Sequence, residues 1–254
     1  MDIFHAIILG IVEGITEFLP ISSTAHLTFT STLLGLEQSV YVKTFEIAIQ
    51  AGAILAVIAL FWRKFLDVEM VKKIFIAFMP TAVIGLLLYS FVKTYLIGNI
   101  MVSLLSLGIG GVIMILLEKR YSYAPNDTEQ GIDTKKALMI GLCQSFAMIP
   151  GVSRSAATIF GGMALGISKS TIVEFSFLLA VPTMLAATGL DVVKNYHLFS
   201  SSEFASLGVG FFVSFISALL AIRFLLGYIK KHSFVSFGIY RIIFSILVAL
   251  LLYI

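Results

Sequence analysis

The sequence is poor in cysteine, in charged residues and in basic residues near its N-terminus. Cys143 is the single cysteine among 254 residues, so an intrachain disulfide is excluded and nothing in the chain depends on an oxidising compartment. Charged residues make up only 12% of the chain. No lysine or arginine precedes the first apolar run, which argues against a cleaved signal peptide.

Apolar residues are abundant instead. They make up 59% of the chain, against about 45–50% in an ordinary soluble domain, and the mean hydropathy is +1.04. This composition predicts an all-α polytopic membrane protein, and we expect no nucleic-acid partner. Six apolar stretches are long enough to cross about 30 Å of hydrocarbon: 42–62, 74–92, 97–117, 170–190, 206–229 and 234–254.

Two further apolar stretches are interrupted by proline. Residues 1–19 stop at Pro20 and 137–149 stop at Pro150, and each is followed by a second short apolar segment. Glu13, Thr16 and Glu17 interrupt the first stretch, so the uninterrupted apolar part of each piece is too short to span the membrane. Irregular backbone at that depth survives only where protein or a water-filled cavity satisfies it. The pattern therefore predicts two re-entrant helical hairpins.

The chain divides into two similar halves, and each half contains one of the two interruptions. A first repeat of about 1–117 and a second of about 137–254 flank one hydrophilic loop, 118–136, within a single integral membrane domain. Gly10 and the motif that starts at Pro20 align with Gly141 and the motif that starts at Pro150, with a one-residue gap. Paired interrupted helices at matching positions predict a repeat architecture with its site near the midplane of the bilayer.

Basic residues predict that the repeats are inverted. With six spans and two hairpins that return to their own side, three basic clusters fall on one face, which should be cytoplasmic. The first hairpin then enters from outside, the second enters from inside, and both termini face outward. The clusters are Arg63, Lys64, Lys72 and Lys73; Lys119, Arg120, Lys135 and Lys136; and Lys230 and Lys231.

Segment 150–158 places an arginine and several hydroxyls in an apolar region. A buried Arg154 costs a few kcal/mol or more, so it is a functional candidate by default. A helix start beside arginine and hydroxyl donors favours phosphate. We therefore predict that Arg154, Ser153, Ser155 and Thr158 bind phosphate oxygens and stabilise charge on a transferring phosphoryl group. The alternative is that Arg154 only binds the loose carbonyls of a broken helix.

Glu13 and Glu17 are spaced i, i+4, so both carboxylates lie on one helical face. Two such charges in a low-dielectric setting repel unless a proton or a cation lies between them. A divalent cation, Mg²⁺ or Ca²⁺, held together with phosphate oxygens suits this pair. Either carboxylate could instead carry a proton or hydrogen-bond the facing hairpin.

His26 follows a run of hydroxyls at the first interruption, Ser22, Ser23 and Thr24. A neutral imidazole within reach of a serine hydroxyl is the minimum requirement for general-base or nucleophilic attack on phosphorus. We count Ser22 among the predicted diphosphate-binding residues. The alternative is that His26 is a hydrogen-bonded structural residue.

Further polar residues lie in the spans that follow the hairpins. Glu46 with Gln50, and Glu174, are predicted to surround the site, where structural hydrogen bonding is the more expected role. Arg241 in the last span is either a counter-ion for a buried acid or an interfacial residue.

Both interruptions resemble the signature motifs of the bacitracin-resistance family of undecaprenyl-diphosphate phosphatases. The matching segments are 13–26, from Glu13 to His26, and 150–158. Shorter matches extend the similarity over nearly the whole chain, and the motifs are highly specific. They are Lys43-Thr-Phe-Glu46, Gln50, Phe61-Trp62-Arg63, the segment 174–182 and Tyr240-Arg241.

The resemblance implies a multi-pass enzyme of the bacterial plasma membrane that removes the terminal phosphate of undecaprenyl diphosphate. It implies a divalent cation, a site open to the extracytoplasmic side, and a homodimer as a family-level expectation. The first motif implies catalytic roles for Glu13, Glu17 and His26, and a proposed nucleophile in Ser23. The second implies phosphate binding by Ser153, Arg154 and Thr158.

Two residues depart from the family pattern. Ala25 and Ala156 stand where the family usually has glycine, and each adds a methyl group beside a turn without removing a reacting group.

The alternative function is a polyprenyl-phosphate transporter or flippase, because inverted repeats with broken helices are also a transporter architecture.

Overall fold

The computed structural model describes residues 1–37, 39–96, 99–121, 131–195 and 201–253, and within them the chain forms ten α-helices and no strand. The helices are α1 Ile3–Thr16, α2 Ser23–Leu33, α3 Val40–Phe61, α4 Val68–Phe91, α5 Ile100–Tyr121, α6 Thr134–Ser145, α7 Arg154–Ala164, α8 Lys169–Asn195, α9 Ser201–Tyr228 and α10 Val235–Tyr253.

Helix length separates two groups. Six helices in the described ranges are long and apolar enough to cross a membrane, namely α3, α4, α5, α8, α9 and α10. This confirms the predicted all-α polytopic membrane fold. The other four have only 11 to 14 residues, so the longest rises about 21 Å at 1.5 Å per residue and falls short of about 30 Å of hydrocarbon. The re-entrant arrangement of these four stays a prediction.

The same order of lengths occurs in both halves: two short helices and then three long ones. Helix α1 packs against α9, and its counterpart α6 packs against α4; α3 packs against α8, and α5 packs against α10. Each short N-terminal helix therefore lies on a long helix of the other half. The division into repeats stays a prediction, and residues 122–130 of the predicted loop lie outside the described residues.

Glycine allows the short helices to approach their long partners closely. A Cβ at Gly10 would lie 2.7 Å from the Gly210 carbonyl oxygen of α9, and one at Gly141 would overlap the Ala77 carbonyl of α4. These are the two glycines that the sequence comparison of the halves aligned. Any larger residue would push α1 or α6 outward and displace the turn that follows it.

Ion pairs gather the ends of four long helices at one side of the molecule. Lys64, just after α3, pairs with Glu174 of α8 at 2.8 Å. Lys169 at the start of α8 pairs with Glu118 near the end of α5. Glu118 also accepts a hydrogen bond from the Phe234 amide, before α10, at 3.3 Å. This side carries the basic clusters that the sequence assigned to one face.

Candidate active site

Two turns with the same unusual backbone form the centre of the candidate site. Ser22 precedes α2 with φ +71°, and Ser153 precedes α7 with φ +77°. Within the described ranges they are the only residues other than glycine with positive φ. Such a conformation costs of order 1–3 kcal/mol and occurs mainly where the backbone is constrained for function.

The two serines differ in how they end the turn. Ser153 caps α7, because its Oγ accepts a hydrogen bond from the Ala156 amide at 3.3 Å. Ser22 has no side-chain capping bond. The first-turn amides of α2 therefore lack the side-chain acceptor that α7 has, although both helices begin at the same cavity.

Glu17 connects the two turns. One carboxylate oxygen, Oε1, lies 3.2 Å from Nη2 of Arg154, and the other, Oε2, accepts a hydrogen bond from the Ser23 hydroxyl at 2.5 Å. Arg154 also donates to the Ser176 carbonyl of α8 at 2.9 Å. The structure thus brings together an acid and a serine of the first motif with the arginine of the second.

A cavity of about 130 Å³ opens between these turns. Its wall contains most of the predicted polar residues together with Gln50, which the sequence placed only around the site. Arg154 belongs to this wall, and its buried Nε has no hydrogen-bond partner among the described residues. The lining residues are Glu17, Ser22, Ser23, Thr24, Gln50, Ala147, Pro150, Gly151, Ser153, Arg154 and Met184.

Ser155 and Thr158 lie behind the cavity wall. The Ser155 hydroxyl donates to the Leu19 carbonyl at 2.9 Å, which ties α7 to the turn between α1 and α2. The Thr158 hydroxyl lies 2.5 Å from the Ser176 hydroxyl of α8. In this geometry both residues hold α7 in place instead of facing a ligand, because they lie on the buried face of that helix.

His26 is also directed away from the cavity. Its Nδ1 lies 2.8 Å from the Ser22 carbonyl, and its Nε2 lies 2.7 Å from the Tyr240 hydroxyl. A carbonyl only accepts, so Nδ1 carries the proton and Nε2 accepts from Tyr240. The ring also stacks on Phe244 with centroids 4.2 Å apart. The structure therefore does not place His26 on Ser23; it supports the alternative structural role.

Glu13 lies deeper than Glu17. It is fully buried, and neither carboxylate oxygen has a hydrogen-bond partner among the described residues. The charges acting on it are those of Glu17, Glu46 and Arg154. Glu46 itself accepts from Ser31 at 2.9 Å. Two adjacent buried carboxylates repel unless a proton or a cation lies between them. With phosphate oxygens, such a pair forms a donor set that suits a hard cation.

Other observations limit the metal site and the surrounding residues. The described part of the chain contains no group of three or more His, Cys, Asp or Glu side chains that could hold a metal ion by themselves. Glu174, predicted to surround the site, pairs instead with Lys64 and does not line the cavity. Its side chain leaves α8 toward the basic end of the molecule.

One residue was assigned the wrong partners from the sequence. Arg241 is fully buried and binds main-chain carbonyls of both turns, so it is neither a counter-ion nor an interfacial residue. The sequence did contain a signal for such a role, because an arginine inside an apolar span needs buried polar partners.

These features define an integral membrane protein with a polar cavity in which a serine, a carboxylate and an arginine meet. A family model described as "Bacitracin resistance protein BacA" matches residues 6–247. The chain therefore belongs to the BacA family.

Curated relatives match almost end to end. The undecaprenyl-diphosphatase of Sulfurihydrogenibium sp. is 51% identical over 250 residues, which cover 97% of this chain and 98% of the relative. That of Wolinella succinogenes is 51% identical over 251 residues, 97% of each chain. That of Aquifex aeolicus is 47% identical over 253 residues, 98% of each chain. These names do not favour the transporter alternative.

Proposed function

We propose that this protein removes the terminal phosphate of undecaprenyl diphosphate, giving undecaprenyl phosphate and inorganic phosphate. Its family and the names of its relatives support this activity. The structural observation that carries the proposal is Glu17, which contacts Ser23 on one side and Arg154 on the other at the cavity. The product is the lipid carrier of cell-wall synthesis, so the reaction recycles that carrier.

The turn before α7 is proposed to bind the diphosphate. Arg154 supplies positive charge, and the first-turn amides of α7 that Ser153 does not cap supply N–H donors, a combination that favours phosphate. Ser22 and Ser153 border the same cavity. Because Arg154 also pairs with Glu17, an entering phosphate exchanges part of that ion pair for its own contact with the guanidinium.

Ser23 is positioned as the nucleophile. Its hydroxyl donates to Glu17, so the carboxylate can take the proton as Oγ bonds to the terminal phosphorus and the bond to the bridging oxygen breaks. The proton then passes to the departing undecaprenyl phosphate. Water next attacks the phosphoserine and gives its proton to Glu17, which returns it to Ser23 as phosphate leaves. His26 acts in neither step, because both of its ring nitrogens are engaged.

A divalent cation, Mg²⁺ or Ca²⁺, completes the proposed site. The orphaned oxygens of Glu13 would hold it, and Glu17 would share it through the lone pairs that Ser23 and Arg154 leave unused. Two carboxylates and phosphate oxygens are a common way of binding Mg²⁺. Such an ion supplies charge neutralisation to the transferring phosphoryl group.

The proposed setting is the bacterial plasma membrane, with the site opening to the extracytoplasmic side. The gathering of basic clusters at one end of the helices supports a cytoplasmic assignment for that end. The two short helix pairs then enter as re-entrant hairpins from opposite sides, as inverted repeats would require. The protein is proposed to contact membrane lipids throughout and to form a homodimer.

The test is phosphate release from undecaprenyl diphosphate by the purified full-length protein in detergent. Ser23→Ala is expected to lose at least about a hundredfold in kcat, because the direct nucleophile is gone. Ser236→Ala is the matched control, since Ser236 is an exposed serine bonded to Tyr228 in the region of the basic end. Substrate labelled in its terminal phosphate should leave label on Ser23 after a rapid acid quench.

Two outcomes would count against these assignments. If the unaltered protein releases no phosphate, the proposed activity is wrong. If it does release phosphate but Ser23→Ala is fully active and no label is trapped, the activity stands and water attacks phosphorus directly.

A further inference from the structure

Arg241, in the middle of α10, is fully buried among backbone carbonyls. None of the ion pairs in the described part of the chain involves it. Its guanidinium instead donates five hydrogen bonds to main-chain oxygens: Nε to Leu107 at 3.1 Å, Nη1 to Val152 at 3.0 Å and Pro20 at 3.1 Å, and Nη2 to Gly151 at 2.9 Å and Ser106 at 3.4 Å.

These oxygens come from three separate elements. Pro20 belongs to the turn before α2, Gly151 and Val152 belong to the turn before α7, and the remaining two belong to α5. Interrupted helices leave carbonyls without intrahelical partners, and such groups need donors when they are buried. Arginine is the side chain with enough N–H groups in a rigid plane to satisfy several at once. One side chain thus bonds to both interruptions.

Helix α5 makes room for this guanidinium. A Cβ at Gly110 would overlap Nη2 of Arg241, and a Cβ at Gly111 would lie 3.1 Å from Cβ of Arg241. The side chain therefore fills a space that two consecutive glycines leave open. A single added methyl group at Gly110 would push the guanidinium toward the turns.

Arg241 does not line the cavity, but the turns it binds carry the residues that do. Ser22 and Ser23 follow Pro20, while Ser153 and Arg154 follow Val152. The neighbouring Tyr240 adds a second link, because its hydroxyl bonds His26, which in turn bonds the Ser22 carbonyl.

We propose that Arg241 is a positioning residue for the phosphatase reaction, which holds the two turns at the separation that places Ser23 and Glu17 opposite Arg154. The kinetic part of this inference rests on the proposed function. The geometric part does not, since it concerns only the distance between the turns.

The distance is measured first, in protein without substrate. Spin labels at Thr24→Cys and Ala147→Cys, which border the cavity from opposite hairpins, report the separation in a Cys143→Ser background. Arg241→Lys keeps the charge but has fewer donors, so the distance distribution should broaden. Gly110→Ala, which displaces the guanidinium without removing it, should broaden it to a smaller extent.

Matched controls separate this effect from general perturbation. Arg223→Lys makes the same exchange at an exposed position of α9. Gly208→Ala adds a methyl group in α9 where nothing lies within 4 Å. Both should leave the distance distribution unchanged. If neither Arg241→Lys nor Gly110→Ala alters the distribution, the positioning role is overturned.

Kinetics distinguish positioning from a loss of fold. Arg241→Lys should lower kcat/KM by roughly ten- to a hundredfold, the range expected for a small misplacement of reacting groups. In an Arg154→Lys background the same change should cost much less, because the contact that it aligns is already impaired. An equal loss in both backgrounds would contradict positioning. If the unaltered protein shows no phosphatase activity, the proposed function fails and the distance measurement alone decides the role of Arg241.

Discussion

The two short helix pairs have the same backbone conformation at their turns, but their site residues carry opposite charge. In both, a serine with positive φ precedes the second helix, and the first helix packs on a long helix of the other half. The α1–α2 pair supplies Glu13, Glu17 and Ser23, whereas the α6–α7 pair supplies Arg154. The backbone framework is therefore common to both pairs, and the division into an acidic and a basic partner is what the proposed diphosphate site depends on.

One matched position shows this division most clearly. Glu13 aligns with Gln144, and both are fully buried. The Gln144 amide donates to the hydroxyls of Thr81 at 2.9 Å and Thr183 at 3.2 Å, while Glu13 has no hydrogen-bond partner among the described residues. The protein thus satisfies the amide nitrogen of Gln144, although the Gln144 oxygen, like both oxygens of Glu13, has no partner among the described residues. A carboxylate at this position has no N–H group with which to make these two threonine contacts.

Removing the basic partner should have the largest effect. Arg154→Met deletes the charge that faces the diphosphate and leaves Glu17 without its ion-pair partner. We expect kcat/KM for phosphate release to fall by roughly a thousandfold, the upper range for losing one strong stabilising donor. Arg223→Met removes an exposed arginine of α9 and should retain full activity. Comparable losses in the two variants would deny Arg154 a specific role.

Making the two pairs alike at the matched position should have the next largest effect. Glu13→Gln gives α1 the residue that α6 already has, and activity should fall by about ten- to a hundredfold through weaker cation binding. The variant should also need more Mg²⁺ or Ca²⁺ to recover activity after chelation. Glu69→Gln, which changes an exposed acid of α4, is the control. An unchanged metal requirement in Glu13→Gln would place the cation elsewhere.

Loosening one pair alone should have a moderate effect. Tyr240→Phe removes the donor to His26 and keeps the aromatic ring. A single hydrogen bond contributes about 0.5–1.5 kcal/mol, so kcat should fall only severalfold. The pH dependence of kcat should keep its shape, because His26 only positions the first turn. If one arm of the pH–kcat curve disappears or shifts in Tyr240→Phe, His26 acts as a catalytic base after all.

The two strained serines should respond differently to glycine, and this is the smallest effect. Ser22→Gly relieves positive φ and breaks no capping bond, so the protein should gain up to about 1 kcal/mol of stability. Ser153→Gly also relieves the strain but loses the bond from the Ala156 amide, so the net change should be near zero. Thermal unfolding in detergent measures both, and equal shifts would mean that the caps are equivalent.

Much of this arrangement was predictable because its signals are local. Pro20 and Pro150 interrupt apolar sequence, and polar residues cluster directly after them. This pattern predicted the short helices and the contact between the two turns. Glu17 and Arg154 were expected to share a cavity for the same reason, and the structure places them 3.2 Å apart.

The remaining contacts depend on residues far apart in the sequence. The partner of His26 is Tyr240, 214 positions away, and no spacing rule connects them. Ser155 and Thr158 are directed toward Leu19 and Ser176 by the orientation of α7, which is fixed by packing. The position of Gln50 in the wall, and that of Glu174 away from it, likewise depend on how α3 and α8 are rotated.

The small volume of the cavity has a consequence for the choice of substrate. About 130 Å³ accommodates phosphoryl groups but not a long prenyl chain. In the proposed complex the cavity would therefore hold the diphosphate and the tail would stay among the lipids, so the number of isoprene units should have little influence on turnover. On this proposal the carrier would not have to leave its bilayer to be processed.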